Sequence, residues 1–283
     1  LSLATITAQA GNHEDERGAV ALPIYLSSNY RHPTLKEAIN FDATKDYTYS
    51  RLSTPNRRAV EKTLAKLEGG TAAFAVSSGM AAVQLALSIL KTGDRLISLD
   101  DLYGGDFRYF DYLNRHAGIE FDQWDGGSLA DLTAKLTPKT RIVWLETPSN
   151  PTMKEIDIQA VAAAVHEYDP QIKVIVDNTF YTPIYQRPLL KGADVVIHSA
   201  TKYLSGHNDL LGGAVVVKDE KLAQAYYDYY ITTGDTLDSF DSWLLLRSLK
   251  TLKVRMAQHT KNAQAVVEYL KHAPEFEKVL YPG

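Results

Sequence analysis

The stretch Lys173-Val174-Ile175-Val176-Asp177-Asn178 decides the fold class of this chain. Its apolar residues are continuous and do not alternate with polar ones, which is typical of a parallel strand covered by helices on both faces. A helical pattern over Ile158–Tyr168 precedes this strand, and another apolar run, Asp194–His198, follows it. Strands that alternate with helices predict βαβ units, hence an α/β fold with a mostly parallel sheet.

The same alternation extends in both directions. The predicted strands are Ala72–Val76, Arg95–Leu99, Ile119–Gln123, Arg141–Glu146, Lys173–Asp177, Asp194–His198 and Gly213–Val217. The helices predicted before and between them are Arg57–Glu68, Met80–Lys91, Asp106–His116, Ser128–Lys135 and Ile158–Tyr168. After the last strand come only helices, predicted over Lys221–Tyr230, Trp243–Met256 and Asn262–Leu270.

These elements predict three segments. Residues 1–55 show little periodicity and indicate an extended N-terminal arm, residues 56–240 hold the α/β domain, and residues 241–283 hold linking helices. The chain begins at Leu1 and stops at Tyr281-Pro282-Gly283, a turn that normally leads into a further element. We therefore expect a fragment that stops near the start of a C-terminal domain and lacks the rest of that domain.

The composition limits the class of protein. The chain has 283 residues, of which 45% are hydrophobic and 23% charged, which is typical of a globular protein with a sizeable core. Its net charge of -4 argues against binding to nucleic acid or to an acidic membrane. The absence of cysteine excludes disulfides, thiolate nucleophiles, Fe–S clusters and Cys-type zinc sites. It fits a reducing cytoplasm, which is the location we expect, and we expect no metal site.

Ligands of open α/β sheets bind beyond the carboxyl ends of the strands. Two of the predicted strands are followed there by polar residues that could bind a phosphate or react with a ligand. Ser77-Ser78-Gly79-Met80 joins a strand to a helix, where small residues let backbone N–H groups approach a phosphate. An ordinary turn with a serine N-cap explains that motif equally simply. In His198-Ser199-Ala200-Thr201-Lys202, two hydroxyls could bind a phosphate and the amine of Lys202 could attack a carbonyl. A lone lysine is more often a surface group whose stem is buried.

Two other strand ends carry a carboxylate and an aromatic ring. Asp177 could hold a cation, a ribose hydroxyl or a protonated ring nitrogen, or simply cap the next turn. Tyr103, with Gly104-Gly105 and Arg108 behind it, could stack on a planar ring or belong to the core. Together, an anion site, a stacking ring, a carboxylate and an amine are what pyridoxal 5'-phosphate (PLP) requires.

The chain resembles the Cys/Met-metabolism (transsulfuration) family of PLP enzymes. The resemblance is carried by His198-Ser199-Ala200-Thr201-Lys202-Tyr203-Leu204-Ser205-Gly206-His207-Asn208-Asp209. Further agreement, in the same order along the chain, comes from Tyr47–Arg51, Ser77–Met80, Tyr103–Gly105, Glu146–Pro151 and Val176–Thr179. It implies PLP-enzyme fold type I, PLP as cofactor, and a homo-oligomer, usually a tetramer, whose active sites are shared between subunits.

The resemblance also implies roles for individual residues. Lys202 is expected to bind PLP covalently, Asp177 to pair with the ring nitrogen, and Tyr103 to stack on the ring and assist proton transfer. The residues expected at the phosphate are Ser78, Gly79, Met80, Ser199 and Thr201, with Tyr49 and Arg51 reaching the phosphate of a neighbouring subunit. Arg51, Tyr103, Arg108 and Asn150 are expected near the substrate or the cofactor hydroxyl. The family's carboxylate-binding arginine belongs to a C-terminal domain, and no residue here corresponds to it.

The implied reaction is γ-replacement or γ-elimination on a sulfur amino acid, as in cystathionine γ-synthase or γ-lyase. Cystathionine β-lyase, O-acetylhomoserine sulfhydrylase and methionine γ-lyase are alternatives within the family. From a different class, the chain could be a non-catalytic oligomeric scaffold, although a scaffold has no need for Lys202, Asp177 and Tyr103 together. The absence of glycine-rich phosphate motifs counts against an unrelated nucleotide-binding protein.

Overall fold

The computed structural model describes residues 1–12, 14–40, 42 and 46–282. Gly283, part of the predicted terminal turn, lies outside the described residues. Within them, seven strands form one sheet in the order β1-β7-β6-β5-β4-β2-β3. The strands are β1 (Ala72–Val76), β2 (Arg95–Leu99), β3 (Glu120–Trp124), β4 (Thr140–Glu146), β5 (Lys173–Asp177), β6 (Val195–Ser199) and β7 (Gly213–Val217). Strands β2 to β6 are parallel, and β7 runs antiparallel to both β6 and β1. The predicted mostly parallel α/β sheet is confirmed.

Helices cover both faces of this sheet, and the five that lie between residues 55 and 168 agree closely with the prediction. They are α1 (Leu3–Ala8), α2 (Leu35–Ile39), α3 (Pro55–Glu68), α4 (Gly79–Leu87), α5 (Gly104–Ala117), α6 (Leu129–Lys135), α7 (Ile158–Tyr168) and α8 (Thr182–Tyr185), followed by a 3₁₀ turn over Pro188–Lys191. The remaining helices are α9 (Glu220–Thr233), α10 (Ser239–Leu249) and α11 (Leu252–His272). The N-terminal arm is not wholly extended, since it contains the short helices α1 and α2.

The strand that decides the fold shows why its apolar run is continuous. Val174 and Val176 pack in the cluster that α6 and α7 form on one face, whereas Ile175 packs in the cluster of α4 and α5 on the other. All three are fully buried. Because successive side chains of a strand point to opposite faces, a strand that is covered on both sides needs an apolar residue at every position.

The helices after β7 correct the prediction. The expected helix Trp243–Met256 is two helices, α10 and α11, and the expected Asn262–Leu270 lies inside α11. The break falls where the Ser248 carbonyl accepts hydrogen bonds from the Thr251 backbone N–H and from the guanidinium of Arg255. Apolar periodicity continues through the turn, so the periodicity alone did not show it.

Arg255 also connects α11 to the turn that follows β6. Its guanidinium donates to the carbonyls of Tyr203 (2.7 Å) and Leu204 (3.3 Å). Gly206 leaves room for this contact, because a Cβ at that position would lie 2.0 Å from Arg255 Nη1. The turn that carries Lys202 is thereby fixed from behind. Among the described residues there is no helix long and apolar enough to cross a bilayer.

Candidate active site

A cavity of about 170 Å³ opens at the carboxyl ends of β4, β5 and β6. This is the edge at which open α/β sheets bind ligands. Its lining includes nine of the predicted site residues, namely Ser78, Gly79, Met80, Tyr103, Asn150, Asp177, Ser199, Thr201 and Lys202. A larger, more open groove beside α11 meets it at Phe180 but contains none of those nine residues.

The start of α4 forms one side of the cavity. Ser78 is the N-cap, and its hydroxyl accepts the backbone N–H of Ala81 at 3.0 Å. The next residue, Gly79, lies so close to β6 that a Cβ would be 2.9 Å from the Cβ of Ser199. Only glycine therefore lets the helix N-terminus, with its free backbone N–H groups, approach this strand end. Ser199 Oγ has no hydrogen-bond partner among the described residues, so it is free to bind an anion.

The Thr201 hydroxyl was expected to donate to a phosphate, but in the structure it is hydrogen-bonded to the backbone of Gly212. The hydroxyl accepts the backbone N–H of Gly212 at 3.1 Å and lies 3.2 Å from the Gly212 carbonyl, to which it donates. The backbone N–H of Thr201 also donates to that carbonyl. Thr201 lines the cavity, but its hydroxyl holds the turn after β6 against the segment that enters β7.

Lys202 lies in that turn, three residues beyond the last residue of β6. Its backbone N–H donates to the Ser199 carbonyl, and its own carbonyl accepts from Gly206 at 2.7 Å. The side chain lines the cavity and is exposed, not buried at a strand end. Its ammonium has no ion-pair partner within the described part of the chain, which leaves the amine available to a ligand.

Tyr103 lies at the mouth of the cavity, where α5 begins. Its side chain is 47% exposed, and its ring lies over Gly105, where a Cβ would be 2.3 Å from the ring. Its backbone N–H donates to Glu146 Oε2 at 2.7 Å. The glycine and the glutamate together hold the ring at the cavity wall, in a position from which it can stack on a planar ligand.

Asp177 ends β5 and is the register partner of Glu146 at the end of β4. Its Oδ1 accepts the backbone N–H of Thr179 at 2.9 Å, and Thr179 Oγ1 in turn accepts the N–H of Ser199. Burial raises the pKa of Asp177, although the hydrogen bonds from Thr179 and the charge of His198 oppose that shift. A cation next to this carboxylate would favour its ionised form and so oppose the effect of burial on its pKa.

Two further carboxyl groups of the cavity were not among the predicted site residues. Burial and the charge of Asp177 raise the pKa of Glu146 to about 9. The same two causes raise the pKa of Asp106, in the first turn of α5, well above its ordinary value. The sequence carried a signal for each, since Glu146 ends a strand and Asp106 directly follows Tyr103-Gly104-Gly105. Three carboxyl groups thus interact at one end of the cavity.

A second polar cluster lies behind β5 and β6. His198 and Glu68 are fully buried, with His198 Nε2 2.7 Å from Glu68 Oε1. The same oxygen accepts Nδ2 of Asn178 at 2.9 Å, and Asn178 is also hydrogen-bonded to Gln186. This cluster fixes the residues next to Asp177 and Ser199 in the chain.

The structure does not bring the remaining predicted residues into this cavity. Tyr49 is exposed on the arm, with the Arg51 guanidinium over its ring at 5.4 Å. Arg51 donates to the Ile231 carbonyl and packs against Gly234. Arg108 is exposed on α5, near Gly104. Within the described ranges, no cluster of three or more His, Cys, Asp or Glu side chains could hold a metal ion.

Comparisons with known proteins agree with this geometry. Residues 4–283 match the family model described as Cys/Met metabolism PLP-dependent enzyme. The chain is 48% identical over 280 residues to the Bacillus subtilis protein named cystathionine gamma-synthase/O-acetylhomoserine (thiol)-lyase, covering 99% of this chain and 73% of that protein. It is 43% identical over 281 residues to the cystathionine gamma-synthase of Haemophilus influenzae, covering 99% and 74%.

A solved structure has the same fold. The cystathionine gamma-lyase of Lactobacillus plantarum, solved in complex with L-serine, superposes with a TM-score of 0.94 at 39% identity, covering all of this chain and 72% of that one. The chain belongs to the Cys/Met metabolism family of PLP-dependent enzymes, as its motifs predicted, and its sheet is that of PLP fold type I. Its cofactor is PLP.

The residues of the cavity fit this cofactor. Gly79 keeps open, next to Ser199, a space that a Cβ would fill, and the α4 N-terminus with the free Ser199 hydroxyl suits a phosphate. At the other end, carboxyl groups whose pKa no arginine or lysine of the described chain lowers suit a protonated pyridine. The lysine amine and the tyrosine ring complete the set that a PLP site uses.

Proposed function

We propose that this chain is a transsulfuration enzyme that catalyses γ-replacement or γ-elimination on sulfur-containing amino acids with PLP. The observation that carries the proposal is that Lys202, Asp177 and Tyr103, three chemically different groups from distant parts of the chain, line one small cavity. A scaffold protein would have no reason to keep all three there.

The α4 N-terminus would hold the phosphate. Backbone N–H groups of Gly79 and Met80 and the hydroxyl of Ser199 are its donors, and Ser78 fixes the helix start. Thr201 contributes by holding the turn through Gly212.

Asp177 and Tyr103 would hold the ring. The carboxylate of Asp177 would pair with the ring nitrogen and stabilise its positive charge, while the Tyr103 ring would provide a stacking surface for the pyridine. Asn150, from the loop after β4, lies on the same cavity wall and would bind a polar substituent of the ring or the substrate.

Lys202 is the catalytic base. When bound, PLP supplies a carbonyl that reacts with amines and a ring that delocalises the electron pair left after proton removal. Lys202 Nζ would hold that carbonyl carbon covalently in the resting enzyme. With a substrate bound, the Lys202 amine would accept the proton of the substrate α-carbon and return a proton to a carbon further along the substrate.

The sulfur in this chemistry belongs to the substrates, since the chain has no cysteine. Relatives named cystathionine gamma-synthase and gamma-lyase support cystathionine, or an activated homoserine with a thiol, as substrates. Relatives named cystathionine beta-lyase, from Lactococcus lactis, and L-methionine gamma-lyase, from Treponema denticola, support the alternative reactions.

We further propose that the active site is shared between subunits of a homo-oligomer, usually a tetramer in this family. Tyr49 and Arg51 lie on the arm outside the cavity of their own chain, which supports a role at a neighbouring one. The division into an arm (1–55), a large domain (56–240) and linking helices (241–283), the role of Arg108 near the substrate and the cytoplasmic location stay predictions.

Spectroscopy and product analysis test the proposal. The purified protein should be yellow with PLP and lose its visible band on borohydride reduction, and Lys202→Ala should abolish both the band and turnover. Lys221→Ala, an exposed lysine on α9, is the matched control. A colourless wild-type protein that takes up no PLP would overturn the proposal. If colour is present, assays with cystathionine, and with O-acetylhomoserine plus cysteine or homocysteine, decide the reaction.

A further inference from the structure

Asp106 is a buried acid of the cavity that the mechanism above does not use. The residue is 1% exposed and lies in the first turn of α5, with its backbone N–H bonded to the Tyr103 carbonyl. Its Oδ2 is buried and has no hydrogen-bond partner in the described chain, yet the residue lines the cavity. Buried polar atoms are nearly always hydrogen-bonded, so an unpartnered one that faces a cavity points to a ligand.

The groups around Asp106 are mostly acidic. The other titratable residues that line the cavity are Asp177 and Glu146 at the strand ends, Tyr103 at its mouth and Lys202 in the turn after β6. Burial raises the pKa of Asp106 well above its ordinary value, and the charge of Asp177 raises it further. Arg108, two residues further along α5, is exposed and outside the cavity lining.

We propose that Asp106 binds the ring end of PLP as a neutral carboxylic acid, which adds an O–H donor to the cavity and leaves Asp177 as the negative charge for the ring nitrogen. This inference rests on the proposed cofactor site and deepens it. Two ionised carboxylates at one end of so small a cavity would repel each other, whereas an acid next to a carboxylate supplies a donor without a second charge.

Two variants of similar size separate this role from simple packing. Asp106→Asn keeps a neutral hydrogen-bond donor, and Asp106→Leu removes all polarity. PLP affinity, measured by titrating the full chain with PLP and following its absorbance, should be about tenfold weaker in the leucine variant than in the asparagine variant, as expected for one lost hydrogen bond. Equal affinities of the two variants would overturn the proposed donor. If both bind far more weakly than wild type, an ionised Asp106 is required, and the proposal is also wrong.

A second measurement needs no PLP. An acid whose pKa is raised by folding stabilises the protein below its unfolded pKa, and that stabilisation is lost as pH rises through the folded pKa. The melting temperature of the PLP-free Asp106→Asn protein should therefore exceed that of wild type by more at pH 8.5 than at pH 5. The comparison is repeated in a Glu146→Gln background, so that the other raised acid does not contribute. A difference that does not grow with pH would show that Asp106 is not held neutral.

The outcomes distinguish a failure of the proposed role of Asp106 from a failure of the proposed function. If wild type takes up no PLP, the cofactor proposal fails, yet the pH dependence of melting still reports whether Asp106 is neutral. If wild type is yellow and catalytically active but both tests on Asp106 fail, the proposed function stands and this inference alone is wrong.

Discussion

The chain buries acids in two regions in opposite ways. Beneath the sheet edge, Glu61 lies against the Arg57 guanidinium (3.9 Å) and accepts hydrogen bonds from Tyr230 and from the Ala75 backbone. In the cavity, burial raises the pKa of Asp177, and the charge of Asp177 adds to the effect of burial in raising the pKa of Asp106 and Glu146. No arginine or lysine is among the causes of these three shifts. Burial also raises the pKa of Glu61, but the charge of Arg57 opposes that shift, whereas the cavity acids have no arginine or lysine that does so. A structural site therefore differs from a binding site less in burial than in whether its charges are balanced.

The largest effect is expected when the cation beside Glu61 is removed. Arg57 is 2% exposed and donates to the carbonyls of Ser50, Arg51 and Leu237. Arg57→Met should lower the free energy of unfolding by about 3–5 kcal/mol, because it removes the cation beside Glu61 and the donor to three carbonyls. Urea unfolding measures the loss. In the double variant Arg57→Met, Glu61→Gln, part of the stability should return, and an unchanged loss would mean that charge balance is not the cause.

Asp177→Asn tests the carboxyl groups of the cavity. Asparagine cannot balance a ring cation, so turnover should fall on the order of 10²- to 10³-fold, the size seen when one electrostatic contact to developing charge is removed. Unlike Arg57→Met, this variant should not lower the free energy of unfolding of the PLP-free protein, measured in urea, because it removes a carboxyl group whose burial is unfavourable. A variant with near wild-type turnover would contradict the assignment of Asp177.

Glu68 tests whether the cluster behind β5 is structural. Glu68→Leu should cost about 1–3 kcal/mol, since it leaves His198 and Asn178 without the acceptor they share. Glu68→Gln keeps an acceptor oxygen and should cost less. Thermal unfolding compares the two. Equal costs would show that the loss comes from packing and not from the shared hydrogen bonds.

The pH dependence of stability tests the raised pKa of Glu146. Because the pKa of Glu146 is raised to about 9, its neutral form stabilises the PLP-free protein below pH 4.5, and that contribution declines as pH approaches 9. Glu146→Gln keeps an acceptor for the Tyr103 N–H and should gain stability relative to wild type by about 1 kcal/mol per pH unit between pH 5 and pH 8.5. Parallel stability curves for the two proteins would contradict the raised pKa.

The sequence predicted the sheet well because its information is local. Continuous apolar runs such as Val174-Ile175-Val176 and the glycines at Gly69 and Gly118 mark the elements and their ends. The family motifs also placed nine predicted residues at one cavity. The break at Ser248 was missed because it depends on Arg255, which is fixed by its contacts with the Tyr203 and Leu204 carbonyls, distant in sequence.

The chemistry of single groups was harder to predict than their location. The Thr201 hydroxyl was expected at a phosphate, but Gly212, eleven residues away, binds it. Asp106 was predicted as an ordinary first residue of a helix, because nothing in a linear sequence shows that its Oδ2 would lie buried beside Asp177. Burial, partners and repulsion are properties of the assembled chain, and they decide which predicted donors are free.

The strand order has a consequence for how the protein is made. In the sheet, β1 pairs only with β7 among the described strands, and Ala72 is opposite Val217. A ribosome adding 5–20 residues per second needs roughly seven to thirty seconds to get from one strand to the other. During that interval the apolar residues of β1 have no strand to pair with, although α4 can already pack against β6 once that strand is made. The phosphate side of the cavity, which starts at the end of β1, is therefore among the last parts of the enzyme to be assembled.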